Sequence, residues 1–148
     1  PEFEVILARA IANEESAAAF YRQAAARIAD PVTKDMLEEL MRDEVEHRRL
    51  LLAFRRGERP LPAGPANVGA GLVEYLGAPD FTPEMSPAEA FLLAARKEQL
   101  AVEFYERWAA LYPAGPEREL LLGLAGVERR HREKVENLYT NAAFPEAW

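Results

Sequence analysis

The sequence predicts an all-α fold: an antiparallel four-helix bundle made of two helical hairpins joined by a long crossover connection. Three observations predict it. Four stretches carry inward-type residues at alternating spacings of three and four, the pattern of helices that pack along a seam. Proline- and glycine-containing breaks separate the four stretches. The second half of the chain also repeats the first with an offset of 84 residues.

The first helix is expected over about residues 3–29, with Leu7, Ala10, Glu14, Ala17, Tyr21, Ala24 and Ile28 on its seam. Asp30-Pro31 ends it and starts the next, Asp30 as N-cap and Pro31 at the first helical position, where a missing N–H costs nothing. The second helix is expected over about 32–57, with Leu37, Leu40, Glu44, His47, Leu51 and Phe54 inward. Gly57 and Pro60 stop it.

From 58 to 86 the composition turns to proline and glycine, which predicts a connection, with one or two helical turns over 68–76. A helix of about 25 residues is about 38 Å long, so a connection of this length can cross from one end of the bundle to the other. Ser86-Pro87-Ala88-Glu89 reads as a capping box opening a third helix over about 87–112. Its seam is Phe91, Ala94, Glu98, Ala101, Tyr105 and Trp108. Pro113 to Pro116 break it, and a fourth helix follows over about 117–139, with Leu121, Leu124, Glu128, His131, Val135 and Leu138 inward. Phe144 and Trp148 in the tail are expected to dock on the bundle or on a second subunit.

The 148 residues, about half of them apolar, suit one domain over 1–148 with a single core. A net charge of −7 argues against a nucleic-acid or anionic-membrane surface, both of which need clustered Lys and Arg. The absence of cysteine excludes disulfides, thiolate metal sites and thiol catalysis. No apolar run approaches the roughly 20 residues of a membrane span, and Pro1-Glu2-Phe3-Glu4 lacks the features of a signal peptide. A soluble cytoplasmic protein is expected.

The repeat carries polar residues as well as core ones. Glu14 precedes Glu44 by thirty positions and His47 by thirty-three, and Glu98 stands in the same relation to Glu128 and His131. These are the only two histidines in the chain. The midpoint between Glu14 and the Glu44/His47 pair falls on Asp30-Pro31, and that between Glu98 and Glu128/His131 falls on Pro113-Ala114. Each glutamate should therefore lie level with its Glu-x-x-His pair across a hairpin, and the spacing of three puts that pair on one helix face.

Four carboxylates buried on facing seams would be prohibitively costly without compensation, and no Lys or Arg occupies those seams. Two divalent cations supply that compensation, with imidazoles as neutral donors. Such a donor set suits iron or manganese, with zinc as a frequent occupant. Bound to the helices as they are, Glu14, Glu44, His47, Glu98, Glu128 and His131 are the candidate metal ligands.

With Phe20-Tyr21 and Phe104-Tyr105 following the first glutamate of each half, the pattern resembles the ferritin-like di-iron proteins, most closely the rubrerythrin group, over nearly the whole chain. The resemblance implies that Glu44 and Glu128 bridge two metals, that Glu14 and Glu98 are terminal ligands, and that His47 and His131 bind one metal each. Two features differ. Ala101 stands where rubrerythrins usually carry a further glutamate, and a cysteine-free chain makes no rubredoxin-type iron site.

Tyr21 and Tyr105 are expected to hydrogen-bond a ligand or pass an electron, or else to serve as core residues with a satisfied hydroxyl. Asp43 could orient a ligand histidine, but its equivalent in the other half is Val127, which favours a surface or capping role. Glu15, Glu46 and Glu103 read as solvated or supporting groups, and Arg48-Arg49 and Arg129-Arg130 as partners of nearby glutamates. The expected activity is reduction of hydrogen peroxide or dioxygen by two irons that an external electron donor re-reduces, with a homodimer as the expected assembly. The peroxide role follows from the resemblance. The alternatives are a ferroxidase and a metal-stabilised structural bundle. A substrate oxygenase is disfavoured, because no added segment that would form a substrate pocket is evident.

Overall fold

The computed structural model describes residues 2–57, 82 and 84–144. Among them are four helices, α1 (Glu2–Ala26), α2 (Pro31–Arg56), α3 (Pro87–Ala109) and α4 (Pro116–Ala143). The crossover expected over 58–86 and its helical turns at 68–76 lie outside the described residues, except for 82 and 84–86. None of the described helices is long and apolar enough to cross a membrane.

Helix ends follow local chemistry. Asp30 adopts an extended conformation, as a residue before proline should, and its carboxylate accepts hydrogen bonds from Thr33 N at 2.9 Å and Thr33 Oγ1 at 2.7 Å. That geometry ends α1 earlier than the expected 29. Its final turn tightens through Arg27 N to Ala24 O and Ile28 N to Ala25 O. Likewise α3 stops at Ala109, and Leu111 and Tyr112 close tighter turns onto Trp108 O and Ala109 O before Pro113.

Ser86 caps α3 by accepting from Glu89 N at 3.2 Å, while its hydroxyl donates to the Glu89 carboxylate at 3.1 Å. In contrast, α4 outruns its expected end by four residues, because no breaker intervenes before Pro145. Phe144 is 58% exposed, so the described residues of the bundle leave most of its ring open. Trp148 lies outside the described residues.

The expected seams are the buried faces. On α2 the buried residues are Leu37, Leu40, Glu44, His47 and Leu51, at seam spacing throughout. The seams of α3 and α4 are likewise buried from Phe91 to Trp108 and from Leu121 to Leu138. Burial on α1 and α3 is broader, since Phe3, Ile6, Ile11, Phe20, Val102 and Phe104 are also inside.

The ring of Phe3 packs 5.8 Å from Phe54 and 5.1 Å edge-on from Tyr112, so α1 begins where α2 and α3 end. It follows that α1 is antiparallel to both and that α2 runs parallel to α3, with the end of α2 and the start of α3 at opposite ends of the bundle.

Two apolar clusters fill the two ends. One joins Phe3, Ile6, Leu7, Leu51, Phe104, Trp108 and Leu121, and the other joins Phe20, Leu37, Leu40, Phe91, Val135 and Leu138. The polar seam residues lie between them, in a buried middle layer. On the surface, Arg48 pairs with Glu15 at 3.2 Å, Arg49 with Glu46 at 2.6 Å, and Arg129 with Glu106. Gln99 donates to Glu103 at 3.1 Å. Exposed pairs of this kind contribute about 0–1 kcal/mol each, so the core determines the fold.

Candidate metal centre

The six expected ligands all converge between the two apolar clusters. Glu14, Glu44, His47, Glu98, Glu128 and His131 are each no more than 5% exposed. They form two overlapping groups whose donor atoms lie within 4.8 Å of one another. One group is Glu14, Glu44, His47 and Glu128, and the other is Glu44, Glu98, Glu128 and His131. Glu44 and Glu128 belong to both. The hairpins thus face each other, each offering one glutamate and one histidine to its own side and one glutamate to the shared middle.

Both imidazoles turn Nδ1 toward the carboxylates. His47 Nδ1 lies 3.0 Å from Glu128 Oε1 and 3.4 Å from Glu14 Oε2. His131 Nδ1 lies 2.7 Å from Glu44 Oε1, 3.7 Å from Glu98 Oε1 and 3.9 Å from Glu128 Oε2. The two rings are nearly parallel, with centroids 5.7 Å apart. Four of the converging atoms, Glu14 Oε2, His47 Nδ1, Glu98 Oε2 and Glu128 Oε1, make no well-aligned hydrogen bond to a described residue, although His47 Nδ1 is within 3.0 Å of Glu128 Oε1 and 3.4 Å of Glu14 Oε2. Buried polar atoms are rarely left so.

The electrostatics point the same way. Burial, reinforced by the charges of Glu14, Glu128 and Glu98, pushes the Glu44 carboxyl well above its usual range. Burial and the charges of Glu98 and Glu14 do the same to Glu128. Burial also acts to raise Glu14, but Glu44, His47 and Tyr105 beside it outweigh that effect and hold it below its ordinary value. For His131, burial favours the neutral ring, yet Glu98 and Asp43 raise its affinity for a proton above the ordinary value. Two divalent cations would match four carboxylates, and the orphaned oxygens and nitrogen are the lone pairs such ions would take up.

Tyr21 donates to Glu98 Oε1 at 2.5 Å, and Tyr105 donates to Glu14 Oε1 at 2.6 Å. Each tyrosine thus holds the first glutamate of the opposite hairpin, Glu98 or Glu14. Burial and the Glu98 charge push the Tyr21 hydroxyl well above its ordinary value, so it remains a neutral donor. Trp108 packs edge-on against Phe104, as expected of a core residue.

The favoured reading of Asp43 as a surface or capping group is overturned. Its Oδ2 lies 3.0 Å from His131 Nε2, because the start of the second half of α2 faces α4 across the bundle. With Nε2–H held by Asp43, Nδ1 is the nitrogen whose lone pair would turn to a cation. The repeat hid this relation, since Val127 stands at the equivalent position beside the other histidine.

Sequence reasoning also missed a cavity. A space of about 250 Å³ between α1 and α3 reaches Glu14, Glu44, Glu98 and Glu128, lined further by Asn13, Ala17, Phe20, Tyr21, Lys97 and Ala101. It needs no added segment, because small side chains on two facing helices suffice. Asn13 and Lys97 immediately precede Glu14 and Glu98, and that adjacency was the available signal.

A family model described as a ferritin-like domain matches residues 4–141. No curated protein and no solved structure matches the chain.

Proposed function

The chain belongs to the ferritin-like domain family, and from that membership we propose that it is a rubrerythrin-like di-iron oxidoreductase that reduces hydrogen peroxide or dioxygen. The observation that carries this reading is the pair of overlapping ligand groups sharing Glu44 and Glu128. Glu14 and His47 would hold one ion, Glu98 and His131 the other, and Glu44 and Glu128 both. When bound, two Fe(II) ions supply the two electrons that convert hydrogen peroxide and two protons into two waters.

The chain's own residues prepare the site for that chemistry. Carboxylates suit the higher charge of ferric iron and can change how many oxygens they offer. Tyr21 and Tyr105 fix one oxygen of each terminal glutamate, leaving the other oxygen available. The apolar clusters at both ends exclude bulk water. The cavity between α1 and α3 gives a small oxidant a way in. Ala101 lines that cavity in place of the further glutamate of rubrerythrins, so the mechanism here relies on the six ligands alone. None of these 148 residues is a cysteine that could build a thiolate iron centre, so re-reduction calls for an electron donor outside them.

Stopped-flow absorbance on anaerobic protein loaded with two Fe(II) per chain, mixed in parallel with peroxide and with oxygen, tests the proposal. Oxidation much faster with peroxide supports a peroxidase. Equal or faster oxidation by oxygen with continued turnover of added Fe(II) identifies a ferroxidase instead. Failure to bind two irons, or no oxidation by either, overturns the redox reading.

A further inference from the structure

The cavity beside the carboxylates has a composition that small oxidants do not require. Its walls include Ala17, Phe20, Ala94, Leu100 and Ala101, and Ala17 and Ala101 are equivalent under the 84-residue repeat. Asn13 and Lys97 are equivalent too, and they line the space from facing helices. Asn13 Nδ2 is a buried donor with no hydrogen-bond partner among the described residues. The Lys97 ammonium lies 5.6 Å from the centroid of the Phe20 ring, which itself lines the cavity.

We propose that this cavity binds a small organic monocarboxylate, with its apolar body against the alanines and Phe20 and its carboxylate held by Asn13 Nδ2 and the Lys97 ammonium. Size, polarity and charge each support this. An apolar cavity of about 150 Å³ takes up benzene, so the larger space here suits a ring or short chain carrying one polar group. An amide N–H and an ammonium are both donors, and a carboxylate is acceptor-only. A pure hydrocarbon would leave Asn13 Nδ2 without an acceptor.

An anion next to four carboxylates is tolerated only where their charge is compensated. The inference therefore rests on the two-metal reading, and its test must separate the two. The experiment is calorimetric titration of benzoate into protein loaded with zinc, which is redox-inert, after the zinc content has been measured. Wild type should bind benzoate, and Ala101→Phe, which fills the cavity, should abolish binding. Lys97→Gln and Asn13→Leu should each weaken it by about tenfold or more, as loss of a charge-assisted hydrogen bond implies.

Lys97 is only half-buried, so Lys97→Gln keeps the test decisive should Ala101→Phe fail to fold. No benzoate binding by zinc-loaded wild type overturns the inference. Binding undiminished in both Lys97→Gln and Asn13→Leu overturns it as well, since benzoate would then sit on zinc alone. Failure to load two zinc ions overturns the metal reading first, and the carboxylate pocket with it.

Discussion

The Tyr21 hydroxyl on α1 donates a 2.5 Å hydrogen bond to Glu98 Oε1 on α3, 77 positions along the chain. Tyr105 returns the same bond to Glu14. The hairpins are thus cross-linked at the level of the candidate metal centre, and the orientation of each terminal glutamate depends on the hairpin it does not belong to.

Replacing Tyr21 by Phe removes the donor and leaves a buried carboxylate oxygen without its partner. Loss of a buried hydrogen bond to a charged group costs about 1–3 kcal/mol. Urea unfolding of zinc-loaded Tyr21→Phe should show a loss of that size, with Tyr105→Phe behaving alike. A loss near zero for both would mean that the glutamates are held by their other neighbours.

The two ligand groups share Glu44 and Glu128 but not their histidines. Glu128→Ala should therefore cost both metal ions, whereas His47→Ala and His131→Ala should each retain one of two. Metal content measured after loading and desalting checks this. One ion retained by Glu128→Ala would show that the carboxylate is not shared.

Without metal, Glu44 and Glu128 are raised well above their ordinary value of 4.5 and His131 is raised above 6.5. The folded chain then binds more protons than the unfolded one above pH 4.5, so its stability falls as pH rises through those folded values. Glu14, held below 4.5, acts in the opposite sense, and its contribution is lost only as pH falls through its folded value. The melting temperature of metal-free protein should thus decline as pH rises above 4.5. Metal binding displaces those protons, so the rise in melting temperature on adding zinc should grow over the same range. A metal-free stability that increases as pH rises above 4.5 would contradict the raised carboxyls.

Asp43 meets His131 Nε2 at 3.0 Å, while Val127 occupies the equivalent position beside His47. Removing the carboxylate should weaken one metal position by about 10- to 100-fold, the usual effect of losing such a supporting group. Competition with a chelator should show biphasic metal loss for Asp43→Asn against wild type. Unchanged affinity at both positions would reduce the contact to a surface ion pair.

The helices, the turns and the six converging residues were legible in the sequence because each follows from short-range geometry. A spacing of three or four places Glu44 beside His47 whatever else the chain does, and Asp30-Pro31 and Pro113 to Pro116 fix which levels of neighbouring helices meet. The repeat then supplied the second hairpin from the first. Boundaries were less legible: Leu111 and Tyr112 lie beyond the last helical residue of α3, and Asn141 to Ala143 continue α4 past its apolar seam.

By itself, the sequence determined that two hairpins would each bring two glutamates and one histidine to a buried middle layer, since burial of an amphipathic face and helical periodicity leave no other place for them. Only the tertiary structure decided what crosses between the hairpins. The bonds from Tyr21 to Glu98 and from Tyr105 to Glu14, the approach of Asp43 to His131 and the space between Ala17 and Ala101 all depend on how far one hairpin is rotated and offset against the other. That docking is set by the summed fit of the core side chains at both ends, which no local spacing encodes.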